Sequence, residues 1–347
     1  MAYQPLHPKR WTDLKREAHP MTAESARPHI GVVLMTYGSP ATLDDVPGYL
    51  RNVYGGREPS DEVITEFKRR YDLIGGSPLL RVTQEQAAAL EAELNRRHPD
   101  GPTFAVTAGM RFFPPFIADV TPQVAEGADA LVGVIMSPQY SPILMRGYIN
   151  TLRDAVATLG RPDLKLAITE DWHMQPEFLQ AVADRVREAL DALPPERRDA
   201  TPVLLSAHSM PLRVVADEPG YIDNLKQTAQ AIAQRADVRP EQWMFCYQSA
   251  GHTPEPWLKP DFADLMPELK AKGASDVLIA PVQFLADHLE ILYDIEVGAR
   301  EQAEEHDITF HRTQSLNAMP LFISALAAVV EETLLRAAPL EPAPATH

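Results

Sequence analysis

Two short segments carry side chains suited to handling protons and divalent metal ions. Ser206-Ala207-His208-Ser209-Met210-Pro211 follows the apolar run Val203-Leu204-Leu205. Asp287-His288-Leu289-Glu290 follows Val277-Leu278-Ile279-Ala280-Pro281. Each places an ionisable group just past the C-terminal end of an expected buried strand, where open α/β sheets form ligand sites. An imidazole, with its ordinary pKa near ~6.5, and a carboxylate meeting there can hold a divalent ion and accept protons. Taken alone, His208 reads equally well as a core-edge histidine satisfied by a backbone carbonyl.

Glu290 and Asp294 are spaced i, i+4 in an expected helix and so share a face. Asp287 adjoins the same stripe. The plain alternative is a solvated acidic face, but Ile291-Leu292-Tyr293 bury part of this helix. Two carboxylates turned into a cleft repel each other, which raises one pKa and favours bound cations or shared protons. His288, two residues from Glu290, points elsewhere on a helix and reads as a supporting or structural residue. His252, in the loop Ala250-Gly251-His252-Thr253, carries little weight. The serines beside His208 form no G-x-S-x-G elbow. H-E-x-x-H, C-x-x-C, P-loop and G-x-G-x-x-G patterns are also absent.

The elements that must position these groups alternate. Expected strands are Gly31–Met35, Phe104–Ala108, Ala130–Met136, Lys165–Ile168, Val203–Ala207, Trp243–Tyr247, Asp276–Pro281 and Ile308–His311. Expected helices are Gln84–Arg97, Leu144–Leu159, Pro176–Leu193, Tyr221–Arg235, Pro260–Lys272, Leu285–Glu305 and Pro320–Arg336. Short apolar strands between amphipathic helices indicate parallel sheets with helices on both faces. The expected fold class is α/β: two similar Rossmann-like, doubly wound domains with four-stranded parallel sheets, facing across a cleft. The boundaries predicted are a polar N-terminal extension 1–28, a first domain 29–170 and a second domain 171–319. A C-terminal helix 320–336 should pack back on the first domain, and an Ala/Pro-rich tail 337–347 should be disordered.

The chain has 347 residues, 45% hydrophobic and 23% charged, which suffices for about two packed domains. A net charge of −16 argues against nucleic-acid binding and a polybasic membrane anchor. Cys246 is the only cysteine, so no disulfide forms within the chain, and a reducing cytoplasm is the expected compartment. An iron–sulfur cluster, needing about four thiolates, is excluded. No apolar run approaches the ~20 residues of a membrane span.

Large apolar side chains crowd the loops at Tyr54, Arg111-Phe112-Phe113-Pro114-Pro115-Phe116, Pro138-Gln139-Tyr140-Ser141, Ile143-Leu144-Met145, Tyr148 and Pro256-Trp257-Leu258. Such loops line pockets for flat hydrophobic ligands or pack on the domain core. With the segments above, they complete an ordered set: Leu34-Met35-Thr36-Tyr37-Gly38-Ser39-Pro40, Ile74-Gly75-Gly76-Ser77-Pro78-Leu79, Pro138–Ser141, Ser206–Pro211, Tyr247-Gln248-Ser249, Pro256–Leu258, Asp287–Glu290 with Leu292-Tyr293, and Leu316-Asn317 with Pro320-Leu321-Phe322-Ile323. This set resembles the ferrochelatases, which insert ferrous iron into a porphyrin, from about His29 to Glu332.

The resemblance implies a porphyrin held in the cleft, Fe2+ as substrate and no tightly bound cofactor. It implies that His208 and Glu290 are the catalytic and metal-binding pair, with Asp294 relaying protons or metal. Tyr37 resembles the tyrosine axial to iron in bacterial coproporphyrin-type enzymes and points towards coproporphyrin III. Arg70, Tyr71, Ser77, Tyr148 and Trp257 fall on positions resembling those around the macrocycle, and Arg57 nearby is a further porphyrin-binding candidate. The chain departs from the pattern at Tyr54 and Gly55, where related bacterial enzymes often carry arginines. That leaves Arg57, Arg70, Arg111 and Arg146 as candidate propionate partners. It departs again at Gly298, where many members are acidic. A monomer is expected. The competing readings are a protoporphyrin IX ferrochelatase, a cobalt chelatase of the same fold, and a non-catalytic porphyrin carrier.

Overall fold

The computed structural model describes residues 27–251 and 255–336. The calls on most of the N-terminal extension, on the tail 337–347 and on His252 lie outside the described residues.

Among the described residues, eight parallel strands form two four-stranded sheets. In the first, β1 (His29–Thr36), β2 (Thr103–Met110), β3 (Ala130–Ile135) and β4 (Lys165–Ile168) take the order β2-β1-β3-β4. In the second, β5 (Val203–His208), β6 (Trp243–Gln248), β7 (Asp276–Pro281) and β8 (Thr309–Arg312) take the order β6-β5-β7-β8. The central strands pair in register, Val32 with Val106 and Val132, and Leu204 with Met244 and Ile279. Both central strands are buried over nearly their whole length, as strands covered on both faces must be. Every expected strand forms, with ends within two residues of expectation.

The helices are α1 (Val46–Val53), α2 (Asp61–Leu73), α3 (Leu79–Arg97), α4 (Ile117–Val124), α5 (Pro142–Ala157), α6 (Pro176–Asp191), α7 (Pro195–Arg198), α8 (Leu212–Val215), α9 (Pro219–Arg235), α10 (Phe262–Ala271), α11 (Arg300–Glu304) and α12 (Pro320–Arg336). A π-helix spans Glu290–Ala299. One expectation fails here. The helix expected from Leu285 begins only at Leu289, and residues 285–288 form a loop.

The two sheets share a core. Val32 and Leu34 of the first sheet, Leu205 and Leu278 of the second, Phe178 of α6 and Phe322 of α12 belong to one buried cluster. Helix α12 packs against α3, α6, β3 and β4. In each sheet the chain leaves its central strands in opposite directions, so a crevice opens past β1/β3 and another past β5/β7.

Candidate active site in the cleft between the sheets

These two crevices meet in one cleft of about 440 Å³, within the range of ligand pockets, roughly 300–1,000 Å³. Its first wall comes from the ends of β1 and β3, from α1–α3 and from α5. Tyr37, Tyr71, Ser77 and Tyr148 line it, as does Arg111. Its second wall is the loop after β7, with Gln283, Phe284, His288 and Glu290.

Tyr37 is aimed by the turn that follows β1. Gly38 has φ +94°, and a Cβ there would lie 3.0 Å from Met110 and 3.2 Å from Phe113. Glycine is therefore the residue that this turn accepts. The Tyr37 ring rests on Phe112 at 4.5 Å between centroids and meets Tyr49 edge-on at 6.4 Å. Burial, and then the charge of Glu290, push its hydroxyl up to about 12. Burial does the same to Tyr71, also at about 12, whose hydroxyl accepts from Ser39 Oγ at 3.3 Å. The Tyr148 hydroxyl is likewise pushed up by burial. This wall is therefore aromatic and uncharged, apart from Arg111. The Arg111 guanidinium lies over the rings of Phe112 (4.6 Å) and Tyr148 (5.1 Å).

The opposite wall concentrates the titratable groups. His208, the last residue of β5, is not itself in the cavity lining but has Nε2 3.9 Å from Glu290 Oε2, which is. His288 Nε2 is 3.5 Å from the same oxygen. His208 Nδ1–H donates to the Ser209 carbonyl, and His288 Nδ1–H donates to Ala286 O at 2.8 Å. A carbonyl can only accept, so Nδ1 carries a proton in each ring, and Nε2 faces Glu290 as a lone pair in the neutral imidazole and as an N–H donor to the carboxylate in the imidazolium. Burial opposes ionisation of Glu290, but the two histidines and the hydrogen bond from His288 outweigh it and hold the carboxyl at about 2. Burial lowers the pKa of His288, yet the hydrogen bond and charge of Glu290 turn the net shift upward.

His288 is thus the residue that sequence reasoning undervalued. It sits in a loop rather than on a helix, so its side chain turns back to Glu290. Asp287 goes the other way. Its carboxylate accepts from Ser315 Oγ (2.7 Å) and Asn317 Nδ2 (2.8 Å), tying this loop to the segment before α12.

Asp294 lies on the π-helix, and burial followed by the charge of Glu290 raises its pKa. Arg70 Nη1 stands 3.9 Å from Asp294, while Arg70 Nε donates to Glu66 and its guanidinium covers Tyr293 at 5.0 Å. Arg70 thereby joins α2 to the π-helix and does not line the cavity. Arg57 is exposed and donates to the Tyr54 carbonyl at 3.2 Å, so it stands behind a cleft residue. Arg146 is exposed on α5. Ser77 Oγ accepts from Leu79 N at 3.4 Å at the start of α3. The backbone of Trp257 bridges Pro211, so this segment braces the turn after His208 from outside the cavity lining. Among the described residues, no three His, Cys, Asp or Glu side chains close into a metal cage.

Paired four-stranded parallel sheets facing a cleft are a chelatase-type fold. SirB from Bacillus subtilis with Fe3+ shares it at TM-score 0.54, with 14% identity, over 88% of this chain and 95% of that one. The sirohydrochlorin chelatase SirB from Bacillus subtilis subspecies spizizenii in complex with cobalt gives a TM-score of 0.51 at the same identity and coverage. At that identity the likeness concerns the fold alone. The family model for ferrochelatase matches residues 29–334. A ferrochelatase from Deinococcus radiodurans is 36% identical over 90% of this chain and 98% of its own. A coproporphyrin III ferrochelatase from Geobacillus kaustophilus is 38% identical over 86% and 94%. The chain belongs to the ferrochelatase family, metal chelatases of the lyase class that insert a metal ion into a porphyrin.

Proposed function

We propose that this chain inserts Fe2+ into coproporphyrin III, with His208 and Glu290 acting on one face of the ring and Tyr37 approaching from the other. The observation that carries the reading is the convergence of His208 Nε2 and His288 Nε2 on Glu290, a carboxylate that lines the same cleft as Tyr37. The preference for the tetracarboxylate is supported by Tyr37 and by relatives named coproporphyrin III ferrochelatase.

The chemistry follows from the protonation states. Insertion releases two pyrrole protons and takes up one divalent ion. Glu290, held at about 2, is a poor proton acceptor at neutral pH but a permanent anion that attracts Fe2+. The imidazoles of His208 and His288 both turn Nε2 towards Glu290 and are the groups that take the pyrrole protons. Asp294, raised by burial and by Glu290, can take a proton onward along the π-helix. An imidazole and a carboxylate as the few protein ligands would let the metal pass on to four pyrrole nitrogens. Gripping a bent ring more tightly than a flat one lowers the barrier by differential binding. Imidazole and carboxylate also suit Zn2+ and Co2+, so these ions should be inserted too.

The test is anaerobic Fe2+ insertion by purified protein, followed by absorbance, with coproporphyrin III and protoporphyrin IX compared. Faster turnover of the tetracarboxylate is the expected result. Preference for the dicarboxylate overturns the substrate assignment, and binding of either without insertion overturns the catalytic one.

A further inference from the structure

Strand β5 places His208 one step beyond the support of its neighbour. The β5–β7 pairing ends at Ser206 and Pro281, and Val282 N still reaches Ser206 O at 2.8 Å. The chain then turns away. Amides of a central strand alternate between its two neighbours. Ser209 N finds Gln248 O on β6 at 2.7 Å. His208 N faces the side that β7 has vacated, and its partner is a side chain, Gln283 Oε1, at 3.1 Å.

The orientation of that amide is fixed. A backbone N–H can only donate, so Oε1 faces His208, and Nε2 donates to Tyr221 Oη at 2.6 Å. Tyr221 is 2% exposed and packs in a cluster with Ala207, Val215, Leu225, Tyr247 and Leu258. A buried hydroxyl on α9 therefore anchors a glutamine that completes the sheet beneath the working imidazole.

We infer that Gln283 is a positioning residue for metal insertion, fixing the backbone of His208 with Tyr221 as its anchor. The inference rests on the functional reading given above. Without the Gln283 oxygen, His208 N–H has no acceptor, the end of β5 relaxes, and the 3.9 Å approach of His208 to Glu290 is lost. The wall of the cavity keeps its shape if the replacement has similar volume.

The experiment is initial-rate kinetics of anaerobic Fe2+ insertion into coproporphyrin III, with wild type, Gln283→Leu, Gln283→Glu and Tyr221→Phe run together. Gln283→Leu should lower kcat roughly 10-fold, the effect of stranding one buried donor, with porphyrin KM changed by less than about two-fold. Gln283→Glu keeps an acceptor oxygen and should recover most of kcat. Tyr221→Phe, changed outside the cleft lining, should lower kcat by a smaller factor at unchanged KM, and it carries the test if Gln283→Leu fails to fold. Wild-type kcat in both Gln283→Leu and Tyr221→Phe overturns the inference, as does a loss that Gln283→Glu does not recover. A wild type that binds porphyrin without turnover sinks the functional reading instead.

Discussion

His288 Nε2 lies 3.5 Å from Glu290 Oε2, and its Nδ1–H is committed to the Ala286 carbonyl. Burial alone would lower the pKa of this ring; Glu290 reverses the sign. His288 in the unliganded protein should therefore titrate above 6.5, the ordinary histidine value. In Glu290→Gln the burial contribution loses its main opponent, and the same ring should titrate at lower pH. Histidine ring resonances followed by NMR, assigned with a His288→Gln variant, check this. An unchanged titration in Glu290→Gln contradicts the coupling. The imidazolium cannot take a pyrrole proton, so insertion should fall on the acid side of this titration.

Arg111 is the arginine that lines the cleft among the described residues, and Gly147 makes room for it. A Cβ at position 147 would lie 2.0 Å from Arg111 Nη2. That atom is the end of a flexible side chain, so Gly147→Ala should fold but push the guanidinium aside. Both Gly147→Ala and Arg111→Ala should raise porphyrin KM about 10-fold, the scale of one charge-assisted hydrogen bond. Thermal melts should move little. Wild-type KM in both variants would remove Arg111 from the propionate site.

Asp276 opens β7 with its side chain 2% exposed, and Arg197, His311 and Ser275 all donate to it. Burial opposes its charge, but these donors hold it at about 2, below its ordinary 3.8. A depressed carboxyl stabilises the fold above its unfolded pKa, and that stability is lost as pH falls through the folded one. Asp276→Asn should cost about 2 kcal/mol at pH 7. In urea melts, the gap from wild type should close between 3.8 and about 2. Equal stability at neutral pH would contradict it.

The strands were legible because parallel, doubly covered strands read as short apolar runs, as in Val203-Leu204-Leu205 and Val277-Leu278-Ile279. Helices α1, α2 and α4 were not. Helix α1 contains Pro47 and Gly48, α4 contains Pro122, and α2 is dominated by charged residues. The placement of His208 and Glu290 after two such runs was legible, and the structure sets the two side chains 3.9 Å apart. His288 was not, because the loop that frees it is held by distant partners: Gln86 on Leu285 O, and Ser315 and Asn317 on Asp287. No local periodicity records those contacts. Gln283 was hidden for the same reason, since its two partners lie 62 and 75 residues away.

The most direct test of the account compares His208→Ala and Glu290→Gln with wild type for anaerobic Fe2+ insertion, with porphyrin binding measured separately by fluorescence. The account predicts bound porphyrin in both variants, an intact fold by circular dichroism, and turnover reduced by about 10²–10⁴-fold. Wild-type turnover in either variant would contradict the assignment of this pair as the site of insertion.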